Sequence, residues 1–246
     1  MSRNRHASIS APATQSYSSL PPGKDSRMPL PGLARLLTGA GLCVLVLLLG
    51  VLAKIGPIAR LDLRADEHIA AHDRTGMLTS LAKAATDIGK PETVGLGLMI
   101  VVPLLLLLAR RRMDAAKVFC VFAGAFALAE IGKTLINEHR PPASLQLVAA
   151  DSGASFPSGH ATTAAALAVA LIVIAQTLAW RTAVLVLGCL YALAVAASRV
   201  YLGDHYPLDV LGGILCAVAA GLVVTGLFAL PAAQPWLRRL KIDTSR

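Results

Sequence analysis

The sequence predicts an all-α, polytopic membrane protein built as a bundle of six transmembrane helices. Hydrophobic residues make up 55% of its 246 positions and charged residues only 15%, which is too little charge for the surface of a soluble domain of this size. A helix needs about 20 apolar residues to cross the hydrocarbon core of a bilayer. Six stretches reach or approach that length, at about 36–58, 92–109, 115–136, 159–180, 182–200 and 208–230.

The chain divides into one membrane domain and two tails. Residues 1–32 are rich in Ser, Pro and Arg and show no hydrophobic periodicity, which predicts a disordered cytoplasmic tail. The apolar stretch 36–58 is too long for a signal peptide and lacks a convincing cleavage site, so it predicts a retained anchor. The membrane domain is predicted to cover 33–232, and 233–246 to form a basic cytoplasmic tail.

The elements that follow the first stretch are less regular. Within the loop 59–91, the patches Arg64–His72 and Met77–Ala85 predict short interfacial helices. The second stretch contains Pro103, which is tolerated in a membrane helix where neighbouring helices satisfy the freed carbonyl. The fourth and fifth stretches are rich in alanine, as expected for close helix packing in lipid.

Basic residues predict the orientation of the spans. If the N-terminus is inside, the inner segments hold fourteen of the twenty-three Lys and Arg residues, including the run Arg110–Arg112. The first outer loop, 59–91, balances five basic residues with five acidic ones. The pattern therefore predicts a protein of the cytoplasmic membrane with both termini in the cytoplasm. The net charge of +9 flanks the spans, which indicates membrane-surface charge and no nucleic-acid partner.

Two polar clusters are predicted at the outer ends of the third and fourth stretches. Lys133 and Arg140 leave the third stretch, where a long cationic side chain can simply reach the interface. Ser158, Gly159 and His160 precede the fourth. Ser158 fits an N-cap, Gly159 allows close approach to the backbone, and a helix start offers free N–H groups to an anion. Taken alone, this second cluster could be only a helix cap with an incidental histidine.

A third cluster joins the fifth and sixth stretches at the same face. It contains Arg199, His205 and Asp209, and Pro207 suits the first turn of the last helix. An acid that accepts a hydrogen bond from one imidazole nitrogen leaves the other free as a nucleophile. Alone, the cluster could be an interfacial ion pair. Together the three clusters supply the cations, N–H donors, nucleophile and acid that phosphoryl transfer requires. No cluster has metal-ligand spacing, so we expect chemistry without a metal or cofactor.

These residues resemble the motifs of the type 2 phosphatidic acid phosphatases, whose active site is shared with vanadium haloperoxidases. The family pattern is K-x6-R-P, then P-S-G-H, then S-R-x5-H-x3-D. All three motifs are present in order, and the resemblance covers roughly residues 60–230. The matching residues are Lys133, Arg140-Pro141, Pro157-Ser158-Gly159-His160, Ser198-Arg199, His205 and Asp209.

The resemblance implies a role for each residue. His205 would attack phosphorus and form a phosphohistidine, with Asp209 holding its ring. His160 would protonate the leaving lipid alcohol or phosphate and then activate water. The phosphate oxygens would be bound by Lys133, Arg140 and Arg199, together with Ser158 and the Gly159 amide. The family's six-helix membrane bundle agrees with the span count.

The sequence thus predicts a membrane lipid phosphatase acting at the outer face, with the bilayer and a lipid phosphate as its partners. A polyprenyl diphosphate, phosphatidic acid and phosphatidylglycerol phosphate are all candidate substrates, and outer-face catalysis favours the polyprenyl carrier. The alternative is a transporter or channel using the same polar cluster. Six spans argue against a haloperoxidase.

Residues beside the motifs carry further expectations. Glu138 and His139 are predicted as solvated loop residues rather than substrate contacts. Asp204 directly precedes His205 and could tune it, but a turn role is favoured. Glu130 should meet a polar partner, through a helix–helix contact. A headgroup entrance is expected beside three residues, namely Asp87, Lys90 and Glu92.

Overall fold

The computed structural model describes residues 30–149, 151 and 153–239. The described chain is helical without any strand, which confirms the predicted all-α class. Most of the two predicted tails, residues 1–29 and 240–246, lies outside the described residues.

Ten α-helices occur in the described chain. A π-helical turn, Gly97–Val101, joins the fourth and fifth, and short 3-10 turns lie at Ala143–Leu145 and Pro231–Ala233. The helices are α1 (Leu30–Ala53), α2 (Gly56–His72), α3 (Gly76–Ile88), α4 (Pro91–Leu96), α5 (Val102–Leu108), α6 (Arg112–Ile136), α7 (Gly159–Ile174), α8 (Leu178–Tyr201), α9 (Pro207–Ala229) and α10 (Gln234–Arg239).

Five helical segments of the described chain are long and apolar enough to cross a membrane. They are α1, the run from α3 through α5, α6, α8 and α9. The protein is therefore a multi-pass membrane protein. The fourth predicted stretch, 159–180, is shorter than expected, because α7 ends at Ile174 and the Thr177 hydroxyl accepts from Trp180 N (3.2 Å) to begin α8.

The second span begins earlier in the chain than predicted. The patch predicted as a separate helix at Met77–Ala85 belongs to α3, which continues into α4 and α5 as one apolar segment. Pro103 is accommodated by the π-helical turn before it, where Val102 N bonds to Gly97 O. A proline lacks the N–H of a regular helix and its ring crowds the preceding turn, so a local widening suits it.

Helix α7 lies among α6, α8 and α9, and α1 packs along α9. The buried faces of α7 consist of small residues such as Ala161, Ala164 and Ala166, which confirms the close packing expected of the alanine-rich stretches. The ends of α6 and α8 and the beginnings of α7 and α9 meet at one end of the bundle. The three predicted polar clusters are attached to those four helix ends.

Candidate active site

The segment before α7 is fixed against the start of α9. Ser158 is the N-cap of α7, as predicted, and its hydroxyl accepts from Ala161 N at 3.5 Å. The backbone N–H of Ser158 donates to Asp209 O at 3.0 Å. A Cβ on Gly213 would lie 2.6 Å from Ser158 O, so only glycine allows the two helices to approach this closely.

His205 is oriented by the first turn of α9, which begins at Pro207 as predicted. One oxygen of Asp209, Oδ2, lies 3.3 Å from His205 Nδ1 and accepts from Ser155 Oγ (2.5 Å) and Tyr206 N (2.9 Å). The His205 and Asp209 side chains are 1% and 0% exposed. Because the carboxylate faces Nδ1, the opposite ring nitrogen, Nε2, is directed toward the cations. Ser155 is a contact that the motifs did not indicate.

The turn between α8 and His205 requires a glycine. Gly203 has a φ of +75°, a conformation that other residues rarely adopt, and a Cβ there would collide with Leu145 O. Arg74 holds the same region by donating to Leu145 O at 2.6 Å and to Tyr201 O at 3.1 Å. The turn that carries His205 is therefore held in place by Leu145 and Arg74, which are distant from it in sequence.

Two guanidinium groups face the Nε2 side of His205. Arg140 Nη1 lies 3.2 Å from Nε2 and 2.7 Å from Asp204 Oδ2. Arg199 pairs with the same carboxylate oxygen. Asp204 lies in the predicted turn and is fully buried. A buried carboxylate has to be paired, and this one bridges two arginines. The sequence did contain a signal for this pairing, since Asp204 is an acidic residue directly before a histidine and near two cationic residues.

His160 joins this group through a residue that the sequence did not single out. Asp151 Oδ2 lies 3.5 Å from His160 Nδ1 and 2.9 Å from Arg199 Nη2. Asp151 matches no motif and sits in an irregular loop, so neither pattern nor periodicity could identify it.

Lys133 completes the set beside the start of α7. Its Nζ lies 3.6 Å from the position that a Cβ on Gly159 would take, and it donates to Glu130 Oε1 at 2.8 Å. Glu130 thus has the polar partner that was predicted. The helix–helix contact is wrong, because that partner lies one turn away on the same helix.

Burial makes His205 a neutral imidazole. Removal from water, with the Arg140 charge next in importance, lowers the pKa of His205 to about 3. Both effects disfavour the cationic form, since a buried charge loses its hydration and the guanidinium group repels it. At neutral pH the ring therefore has one nitrogen with a free lone pair.

Three more carboxyl groups lie behind Asp209. Both oxygens of Asp66 and one of Glu138 are buried without a hydrogen-bond partner among the described residues. Burial, followed by the neighbouring acids, raises the pKa of Asp66 to about 8 and that of Glu138 to about 7, and burial raises the pKa of Asp62 to about 6. The prediction of Glu138 as a solvated loop residue is wrong, because the chain folds its carboxyl group inward.

One group of side chains has the spacing of a metal site. Ligand atoms of Asp151, Asp204 and His205 lie within 4.8 Å of one another. Both carboxylates are already bonded to arginine, however, and a divalent cation would have to approach those guanidinium charges. The electrostatics of this group favour an anion.

A cavity of about 400 Å³ opens beside His160 and Arg199. The three residues predicted at an entrance, Asp87, Lys90 and Glu92, line it together with Lys83. The cavity is polar and of mixed charge, and it meets the cluster on its His160 side.

Comparisons with known proteins identify relatives of this chain. A family model described as the PAP2 superfamily matches residues 114–230. The decaprenylphosphoryl-5-phosphoribose phosphatase of Mycobacterium tuberculosis is 33% identical over 157 residues, which cover 62% of this chain and 81% of that protein. The undecaprenyl-diphosphatase of Sulfolobus acidocaldarius is 35% identical over 120 residues, 47% of this chain. The chain spans about half the length of that relative, 55%.

Two solved structures share the fold. The phosphatidylglycerolphosphate phosphatase of Bacillus subtilis has a TM-score of 0.68 at 24% identity, covering 85% of this chain and 98% of that one. LpxE of Aquifex aeolicus has a TM-score of 0.52 at 24% identity, covering 67% and 94%. The helices and these relatives define the class, a multi-pass membrane protein related to phosphatases. The chain belongs to the PAP2 superfamily, a family of membrane lipid phosphatases.

Proposed function

We propose that this protein hydrolyses the terminal phosphate of a membrane lipid phosphate or diphosphate through a phosphohistidine on His205. The observation that carries the proposal is the position of one buried imidazole between two opposite environments. Asp209 lies at Nδ1, and Arg140 with Arg199 surrounds the Nε2 side. A neutral ring held in this way presents a lone pair to phosphorus where cations can bind the phosphate oxygens.

The proposed reaction has two steps. In the first, His205 Nε2 attacks phosphorus, the bond to the leaving oxygen breaks, and His160 in its protonated form donates a proton to that oxygen. In the second, neutral His160 takes a proton from water, and the hydroxide formed attacks the phosphohistidine. Inorganic phosphate leaves, and both histidines return to their starting states. The lipid product is an alcohol, or a monophosphate if the substrate is a diphosphate.

Binding of the phosphate is supported by the ion pairs of the two arginines. Asp151 and Asp204 are the only carboxylates paired with Arg140 and Arg199 in the described chain. A phosphate dianion would bind beside these guanidinium groups and displace Asp151 from Arg199. Lys133 and the N–H groups around Ser158 and Gly159 at the start of α7 would join them.

A polyprenyl phosphate or diphosphate is the substrate class that we favour. The relatives with overlapping sequence are named for undecaprenyl diphosphate and decaprenylphosphoryl-5-phosphoribose. The cavity beside His160, the proposed acid, lies where the leaving group would be. Its lining of mixed charge, with Lys83 and Lys90 beside Asp87 and Glu92, suits a polar leaving group such as a phosphate or a sugar phosphate better than an apolar chain.

We also propose six spans, with α7 as the short one, in the cytoplasmic membrane. Helix α7 is enclosed by α6, α8 and α9, so it need not match the full thickness of the lipid. The distribution of basic residues supports cytoplasmic termini and a catalytic end at the outer face.

The test is phosphate release by the purified full chain in detergent from polyprenyl diphosphate, polyprenyl monophosphate, phosphatidic acid and phosphatidylglycerol phosphate. We expect turnover of a polyprenyl substrate, resistance to EDTA, and a base-stable, acid-labile phosphoenzyme that His205→Ala does not form. No phosphate release from any of these lipids would contradict the phosphatase. Ion flux through proteoliposomes without hydrolysis would instead favour the transporter alternative.

A further inference from the structure

The end of the bundle opposite His205 contains a cavity of about 540 Å³. It lies where α6 and α8 begin and where α7 and α9 end. Helix α7 runs from the catalytic cluster to this cavity, and the first of its residues that lines the cavity, Val169, lies nine residues or about 13 Å along the helix from His160. The cavity therefore lies at the other end of the bundle.

The cavity opens beside the last turns of α7. The neighbouring helices α6, α8 and α9 have 25, 24 and 23 residues, or roughly 35–38 Å, and α7 is the shortest of the four. One wall of the cavity is apolar and is formed by Val169, Val173, Val218, Leu222 and Phe228.

Three cationic side chains line this apolar space, Arg35 from α1, Lys117 from α6 and Arg181 from α8. None of them makes a side-chain ion pair or hydrogen bond with another described residue. Arg111 nearby differs, because it pairs with Asp114 at 2.7 Å. Within the described chain no acidic side chain lines this cavity, so its cations lack a counter-charge.

The two terminal segments outside the described residues carry more basic than acidic residues. Residues 1–29 carry four basic residues against a single acid, and residues 240–246 carry two against one. Basic segments are repelled by a basic cavity. The occupant that fits must be anionic at one end and apolar at the other, and it must reach the cavity from the membrane.

We propose that this cavity binds an anionic phospholipid from the leaflet opposite the active site. The phosphate group lies among Arg35, Lys117 and Arg181, and an acyl chain lies along the apolar wall of α7 and α9. Lys and Arg side chains near a membrane surface attract anionic lipids, and a cavity between helices adds apolar contact. This lipid site is independent of the proposed catalysis, because no residue of the catalytic cluster lines it.

The test compares two variants with the same loss of charge. Arg35→Gln with Arg181→Gln removes two exposed cations from the cavity. The control, Arg60→Gln with Arg64→Gln, removes two exposed arginines from α2 at the catalytic end. Native mass spectrometry and thermal unfolding in micelles would measure binding of phosphatidylglycerol, with phosphatidylcholine and inorganic phosphate as separate arms.

We expect phosphatidylglycerol to bind the wild-type chain and the control equally and the cavity variant about 20- to 30-fold more weakly, as two surface cations contribute. Equal loss in both variants would overturn the proposal by indicating nonspecific charge. Inorganic phosphate that reproduces the whole effect would overturn the lipid assignment and indicate a free-anion site.

A single substitution keeps the proposal testable if the double variant misfolds. Arg181 lies in the first turn of α8, where a glutamate is favoured by the helix dipole. Arg181→Glu should therefore keep the thermal unfolding temperature in lipid-free micelles while losing phosphatidylglycerol binding. Retained binding would refute the site.

Discussion

Replacing Asp209 by asparagine tests the proposed orientation of the nucleophile. The carboxylate accepts from Ser155 Oγ and Tyr206 N and lies 3.3 Å from His205 Nδ1. An asparagine can keep its oxygen toward Ser155 and Tyr206, so the turn should remain folded. What it loses is the negative charge that fixes the Nδ1–H tautomer and stabilises the ring as it gains positive charge in the transition state.

The size of the effect follows from one charge-assisted hydrogen bond. Such a bond contributes about 1.5–3 kcal/mol, which corresponds to a roughly 10- to 150-fold decrease in kcat. KM should change little, because Asp209 does not face the phosphate cations. The assay is the initial rate of phosphate release against substrate concentration in detergent, together with the amount of trapped phosphoenzyme.

Asp204→Asn is the matched control, since it makes the same chemical change on the other side of the ring. Its carboxylate pairs with Arg140 and Arg199 and would repel an incoming phosphate. Removing that charge should tighten inhibition by orthovanadate at least about tenfold, because two like charges about 4 Å apart repel by about 1 kcal/mol in water and by more at the lower effective dielectric constant of a buried site. If Asp209→Asn kept kcat within about threefold of wild type, or if both variants changed the same parameter, the assigned orientation would be refuted.

Two further predictions concern stability and packing. Asp66→Asn should raise Tm by a few degrees near pH 8 and change it little near pH 4. The folded-state pKa of about 8 exceeds the unfolded one, so the folded state binds more protons and wild-type stability falls as the pH rises between about 4 and 8; a pH-independent difference in Tm would contradict this. Gly213→Ala should reduce kcat/KM at least about tenfold, because its Cβ would lie 2.6 Å from Ser158 O and 2.9 Å from Thr162 Oγ1. In Gly124→Ala the new methyl would meet ordinary contact at 3.4 Å, and equal activities of these two variants would argue against a packing role for Gly213.

The helical class was predictable from the sequence because composition and span length act locally. The end of α7 was not predictable, because Ala175 and Gln176 carry no charge and therefore do not interrupt the hydropathy pattern. The break between α7 and α8 depends on the Thr177 side chain, which caps the start of α8. The hydropathy pattern does not show whether one helix continues there or a second one begins. Likewise the run from α3 to α5 became one segment through packing around Pro91 and a π-helical turn.

The site could be predicted where motifs place residues and not where the tertiary fold does. His205 and Asp209 form the contact that their four-residue spacing indicated. Asp151 and Glu138 escaped prediction, because an isolated acid in a polar loop looks the same in sequence whether it is solvated or folded inward. Only the tertiary structure shows that one of them reaches Arg199 and the other lies near Asp209.

The contrast between Asp151 and Asp204 suggests how the site handles its charge. Both bind Arg199, but the Asp151 side chain is 48% exposed on a loop, whereas Asp204 is fully buried in the turn before His205. Withdrawing Asp151 into water costs little, since an exposed ion pair contributes only about 0–1 kcal/mol, whereas leaving a buried arginine without its carboxylate is costly. A bound phosphate would therefore replace Asp151 and leave the Asp204 bridge in place. That exchange also separates Asp151 from His160. Binding of the phosphate would therefore free His160, the proposed proton donor, from this contact in the same event.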